Sequence, residues 1–150
     1  MHRAVETGVL PICAELGIGF VPYSPLNRGF LGGGLTEWTV FDAANDNRRE
    51  LPRFTPAAIR ANLRIVEALH AFGRTRGMTA AQIALAWLLA RHPWVVPIPG
   101  TTKRAHLAEN LGAAAFRLSP EETRALEAAV AAHPVVGARY NAEQAVKVQQ

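Results

Sequence analysis

A chain of 150 residues is long enough for one domain with a real core. Its net charge of +4 and pI of about 10.0 come from arginines dispersed among acidic residues, only Lys103 and Lys147 being lysines. With no basic tract and no interleaved aromatics, these charges argue against nucleic acid as a partner and read as a solvated surface.

In chain order, Ala4 to Leu16 reads as the remainder of a helix interrupted by Gly8 and Pro11. The apolar run Ile18 to Pro22 predicts a buried parallel strand, ending in a loop that carries Tyr23, Ser24 and Arg28. Between Gly32 and Pro52 the periodicity fails, and GGGLTEW and AANDNRREL predict a long loop, either functional or a mobile linker. From Thr55 and Pro56 a helix runs to about Phe72, with Ile59, Leu63, Val66 and Leu69 on one apolar face. Thr79 and Gln82 have the spacing of a capping box opening Ala80 to Arg91, which Pro93 stops. Trp94 to Ile98 is the second predicted strand, and Ser119, Pro120 and Glu122 open the last helix.

The stretch VPIPGTTKRAHLAEN, Val96 to Asn110, runs from that strand straight into a helix start. The first N–H groups of a helix lack intrahelical partners and carry the positive end of the macrodipole, so an anion is favoured there. Gly100 lets the backbone approach, Thr101 and Thr102 add hydroxyls, and Lys103 and Arg104 add charge. The alternative is a threonine cap beside two solvated cations. In a parallel α/β barrel, ligands sit at the C-terminal ends of the strands, which would unite this segment with Tyr23, Ser24 and Arg28. Tyr23 could lie against a ring, Ser24 donate to a phosphate oxygen and Arg28 pair with one bidentately; an ordinary half-buried tyrosine is the alternative.

LGIGFVPYSPLNRGFLGG followed by VVPIPGTTKRAHLAENLGAA, with RRELPRF, MTAAQIALAWLLAR and LSPEETRALEAA in order, resembles the aldo-keto reductase family of NAD(P)H-dependent oxidoreductases. The resemblance implies an α/β fold, the C-terminal part of a (β/α)₈ TIM barrel, and NADP(H) as cofactor. It implies that Tyr23 stacks on the nicotinamide and that Ser24 and Leu26 line the nicotinamide and pyrophosphate. It places Gly100, Thr101, Thr102, Lys103 and His106 at the adenosine phosphate, with Glu109 and Asn110 near the adenine. Gly34 stands where the family often has a lysine, which removes one expected phosphate contact.

The family's catalytic Asp, Tyr, Lys and His lie upstream of anything that aligns with Met1, so no catalytic residue is assigned, and neither Tyr23 nor Tyr140 is the catalytic acid. A carbonyl substrate is expected only in a complete barrel. That barrel usually needs about 250 residues, and two short parallel strands leave edges open to self-association. A non-enzymatic nucleotide-binding or self-associating module, and a truncated gene product, are the alternatives. Cys13 has no disulfide partner, and the histidines show no metal-ligand spacing. No apolar run reaches transmembrane length and MHRAVETGVL lacks the core of a signal peptide, so no membrane is expected and the cytoplasm is the expected compartment.

Overall fold

The computed structural model describes residues 1–148, with side chains to Lys147. Its regular structure, among the described residues, is α1 (Val9–Leu16), α2 (Pro56–Arg74), α3 (Ala80–Arg91), α4 (Arg104–Gly112), α5 (Pro120–Ala131) and α6 (Ala142–Val148), with several short 3-10 turns. Local chemistry sets the helix ends. Gly8 separates a 3-10 turn at Ala4–Glu6 from α1, so the helix expected from Ala4 is two pieces. Pro11 is tolerated because it lies in the first turn of α1, where its missing N–H breaks no intrahelical bond. Thr55 accepts from the Ala58 N–H to start α2, and both expected capping boxes, Thr79 with Gln82 and Ser119 with Glu122, are complete.

The face expected of α2 is the buried one: Ile59, Val66 and Leu69 are inside, Ile65 joins them, and Leu63 is half-buried. α3 packs against α2 across a short turn where Gly73 lies on the Met78 carbonyl with no room for a Cβ. α5 packs on α2 and α4 on α3. Phe30, Leu51, Phe54, Ile83 and Leu126 complete the core. The first three come from the stretch around the predicted loop. Its ends are fixed by 3-10 turns at Phe30–Gly32, Asn47–Glu50 and Pro52–Phe54, while Trp38 and Val40 stay exposed.

The two predicted strands run parallel but form only bridges, Phe20 with Val95 and Tyr23 with Ile98. The Phe20 N–H donates to the Trp94 carbonyl at 3.0 Å, Val96 to Phe20 at 2.9 Å and Ile98 to Pro22 at 3.3 Å. The N–H that would complete this alternation is missing at Pro22, and Pro97 lacks one on the opposite edge. Burial on both faces is absent too: Ile18, Val21, Val96 and Ile98 are exposed, because no further strand flanks the pair among the described residues.

A polar clamp holds the segment between α5 and α6. Asn62, fully buried in α2, donates from Nδ2 to the Val136 carbonyl at 2.8 Å and accepts the Val136 N–H at 2.9 Å. Arg53 donates from Nε and Nη2 to the Gly137 carbonyl, both at 3.2 Å. Residues 132–141 thus form a strap fastened to the α2 side of the core. Neither the strap nor α6 was expected from the sequence.

Candidate cofactor site

The parallel pairing brings the ends of the two apolar runs together, since Tyr23 bridges Ile98, two residues before Gly100. Beyond Tyr23 the backbone is left-handed at Ser24 (φ 49°), Asn27 (φ 49°) and Arg28 (φ 56°). Such conformations cost a non-glycine residue about 1–2 kcal/mol each and persist only where the surroundings fix them. Here the Asn27 N–H bonds the Ser24 carbonyl at 2.8 Å, Leu31 bonds that of Leu26 at 3.1 Å, and Arg48 Nη1 donates to the Arg28 carbonyl at 3.0 Å. Leu26 packs against the core and anchors the turn.

Tyr23, Ser24 and Arg28 share an open groove with Asp46, Asn47 and Arg48. Arg48 is engaged by Asp46 at 2.6 Å, and its hydrogen bonds hold the Asp46 carboxyl below the usual range. Arg28 donates only to Asn47 Oδ1, at 3.0 Å, and pairs with no carboxylate among the described residues. It is the cation in the groove with donors to spare.

At the second run, Gly100, Thr101, Thr102 and Lys103 are all exposed. Lys103 is the N-cap of α4, and no side chain caps that helix. Thr101 Oγ1 accepts the Lys103 N–H at 3.1 Å, one residue ahead of the helix, so the threonine-cap alternative leaves the first helical N–H groups unserved. Leu107 is the first to bond back, to the Lys103 carbonyl at 3.0 Å. His106 is exposed at this open end. Glu109 is half-buried, with its carbonyl accepting from Gln82 Nε2 at 3.1 Å, and Asn110 is buried.

The strap adds two residues that sequence reasoning missed. The Tyr140 hydroxyl hydrogen-bonds that of Tyr23, and the Arg139 guanidinium lies 4.9 Å from the Tyr23 ring centroid and 5.2 Å from that of Tyr140. Burial first, and then the hydrogen bond with Tyr140, raise the Tyr23 phenol above its ordinary value. The available signal was a basic–aromatic pair directly after the glycine and alanine of GARY, outside any periodic segment.

A model of the aldo/keto reductase family matches residues 1–131. The chain belongs to that family. Probable aldo-keto reductase 1 of Glycine max is 43% identical over 139 residues, covering 92% of this chain and 39% of that protein. Among solved structures, the glycerol dehydrogenase of Gluconobacter oxydans superposes with a TM-score of 0.79 at 24% identity, over 88% of this chain and 40% of its own. An aldo/keto reductase from Klebsiella pneumoniae, in complex with NADP and acetate, gives 0.58 at 26% identity, over 93% of this chain and 39% of its own. The chain therefore spans about two fifths of the length of these aldo-keto reductase relatives. It is mostly helical, with two bridged extended segments. No helix among the described residues is long and apolar enough to cross a membrane.

Proposed function

We propose that this chain is the cofactor-binding C-terminal portion of an NAD(P)H-dependent aldo-keto reductase, carrying the last part of a (β/α)₈ barrel. The observation that supports this reading is the parallel pairing that sets the Tyr23–Arg28 turn beside the Gly100–Lys103 segment. The residues fit a dinucleotide phosphate: a guanidinium without a carboxylate partner at Arg28 and an uncapped helix start after Lys103. Tyr23 offers its ring to the nicotinamide on the face away from Arg139, with Ser24 and Leu26 beside the nicotinamide and pyrophosphate. Gly100, Thr101, Thr102, Lys103 and His106 hold the adenosine phosphate, and Glu109 and Asn110 lie toward the adenine.

NADPH supplies hydride chemistry when bound; this chain's residues orient the ring and grip the phosphates. The proton that a reduced carbonyl oxygen requires comes from outside these residues. The 150-residue chain is accordingly expected to show no steady NADPH consumption with simple aldehydes. A rate that survives purification and disappears in Tyr23→Ala overturns this part of the reading.

Cofactor choice tests the phosphate site. The extra phosphate of NADPH meets hydroxyls, free N–H groups and Lys103, so NADPH is expected to bind more tightly than NADH. Lys103 is exposed and screened, which limits the preference to about tenfold. Lys103→Glu is expected to abolish the preference and leave NADH binding nearly unchanged. Titration of both cofactors decides the matter: equal affinities in the unaltered chain, or a variant that weakens both alike, reduce the GTTK segment to a helix start.

A further inference from the structure

Beneath the strap lies a cavity of about 450 Å³ whose walls include the buried side chains of Leu10, Phe54, Ile65 and Leu69. Five arginines reach its lining, Arg3, Arg28, Arg53, Arg91 and Arg139, against two carboxylates. Those two, Glu6 and Glu127, already have partners. Arg3 and Arg91 each pair with both, Arg91 lying 2.9 Å from Glu127 and 3.5 Å from Glu6, and Trp87 Nε1 donates to Glu127 at 3.1 Å.

Arg53 and Arg139 pair with no carboxylate among the described residues. Arg53 is only 7% exposed, and a buried cation without a counterion is among the costlier arrangements a protein can hold. Two of its donors converge on a single acceptor, the Gly137 carbonyl, which leaves the rest of the guanidinium fork uncommitted. Arg139 lies over the Tyr23 and Tyr140 rings, a placement that leaves its N–H edge available. Burial, followed by the charge of Arg139, pushes Arg53 below the ordinary guanidinium value, so the two cations act on one region.

We propose that Arg53 and Arg139 form a carboxylate-binding site in this cavity, taking a small organic acid whose apolar body lies against the cavity walls. An inorganic anion would satisfy the guanidinium groups but leave the apolar surface unfilled, so the two features together select the acid. Tyr23 lines the same cavity. The binding does not rest on the proposed function.

Calorimetric titration of the 150-residue chain with benzoate, its neutral analogue benzamide, and inorganic phosphate tests the site. Benzoate is expected to bind at least about tenfold more tightly than benzamide, as charge-assisted bonds to guanidinium groups require, and more tightly than phosphate. Arg139→Met, which keeps the apolar stem, is expected to erase the preference for benzoate. Equal binding of benzoate and benzamide, phosphate binding as tightly as benzoate, or an undiminished preference in folded Arg139→Met each overturns the proposal. The comparison of benzoate with benzamide needs no variant, so it decides the matter even where Arg139→Met does not fold. NADPH titrated in parallel separates the two readings: NADPH binding without discrimination between the benzoic compounds overturns the carboxylate site alone.

Discussion

Asn62→Ala is expected to lower the unfolding free energy by about 3 kcal/mol, read from the shift of a urea unfolding curve at unchanged slope. The side chain is fully buried in α2 and forms two hydrogen bonds with one residue, Val136, one to its carbonyl and one from its N–H. Truncation removes both bonds and opens a small cavity in a packed interior. Val136 is itself 45% exposed, so water can reach part of the vacated backbone, which keeps the loss below the sum of two unsatisfied groups. Asn62→Asp should be no less damaging. It retains an acceptor for the Val136 N–H but turns the donor into an oxygen facing the Val136 carbonyl, and it buries a charge. A loss below about 1 kcal/mol for Asn62→Ala would mean that solvent replaces the clamp.

Features legible in the sequence were those decided within a few residues. The two capping boxes, the stop at Pro93 and the apolar face of α2 depend on spacing alone, and each formed where expected. The apolar runs Ile18 to Pro22 and Trp94 to Ile98 also found each other in parallel. Their strand character failed for reasons equally local: each run contains a proline that cannot donate to a ladder, and flanking strands are missing from the described chain. The proposed site divides the same way. The open helix start after Lys103 could be read because it depends on local sequence alone, while its role in holding a phosphate is proposed. Arg53, Asn62 and Arg139 could not, because their roles arise from contacts made across 70 or more residues, Arg53 with Gly137 and Asn62 with Val136. An asparagine within an amphipathic helix, or an arginine beside a proline, looks solvated until its distant partner is placed.

Gly137→Ala is expected to cost about 2–4 kcal/mol, a loss of the size reserved for backbone conflicts. Gly137 has φ 88°, a conformation that an L side chain rarely adopts, and a Cβ there would stand 2.7 Å from Arg53 Cα, 2.7 Å from the Pro52 carbonyl oxygen and 2.9 Å from Arg53 N. All three are backbone atoms on the turn that buries Phe54, so relief must come from the strap lifting away. Lifting it draws the Gly137 carbonyl off Arg53 and carries Arg139 away from Tyr23, so the variant should also lose the preference for benzoate over benzamide. Because Asn62 and Gly137 secure neighbouring points of one segment, the double variant Asn62→Ala with Gly137→Ala should cost clearly less than the two single losses combined. Once either fastening is released, the other has less left to hold. Losses that add to within about 0.5 kcal/mol would show that the two ends of the clamp act independently, and that Arg139 is positioned by something other than the strap.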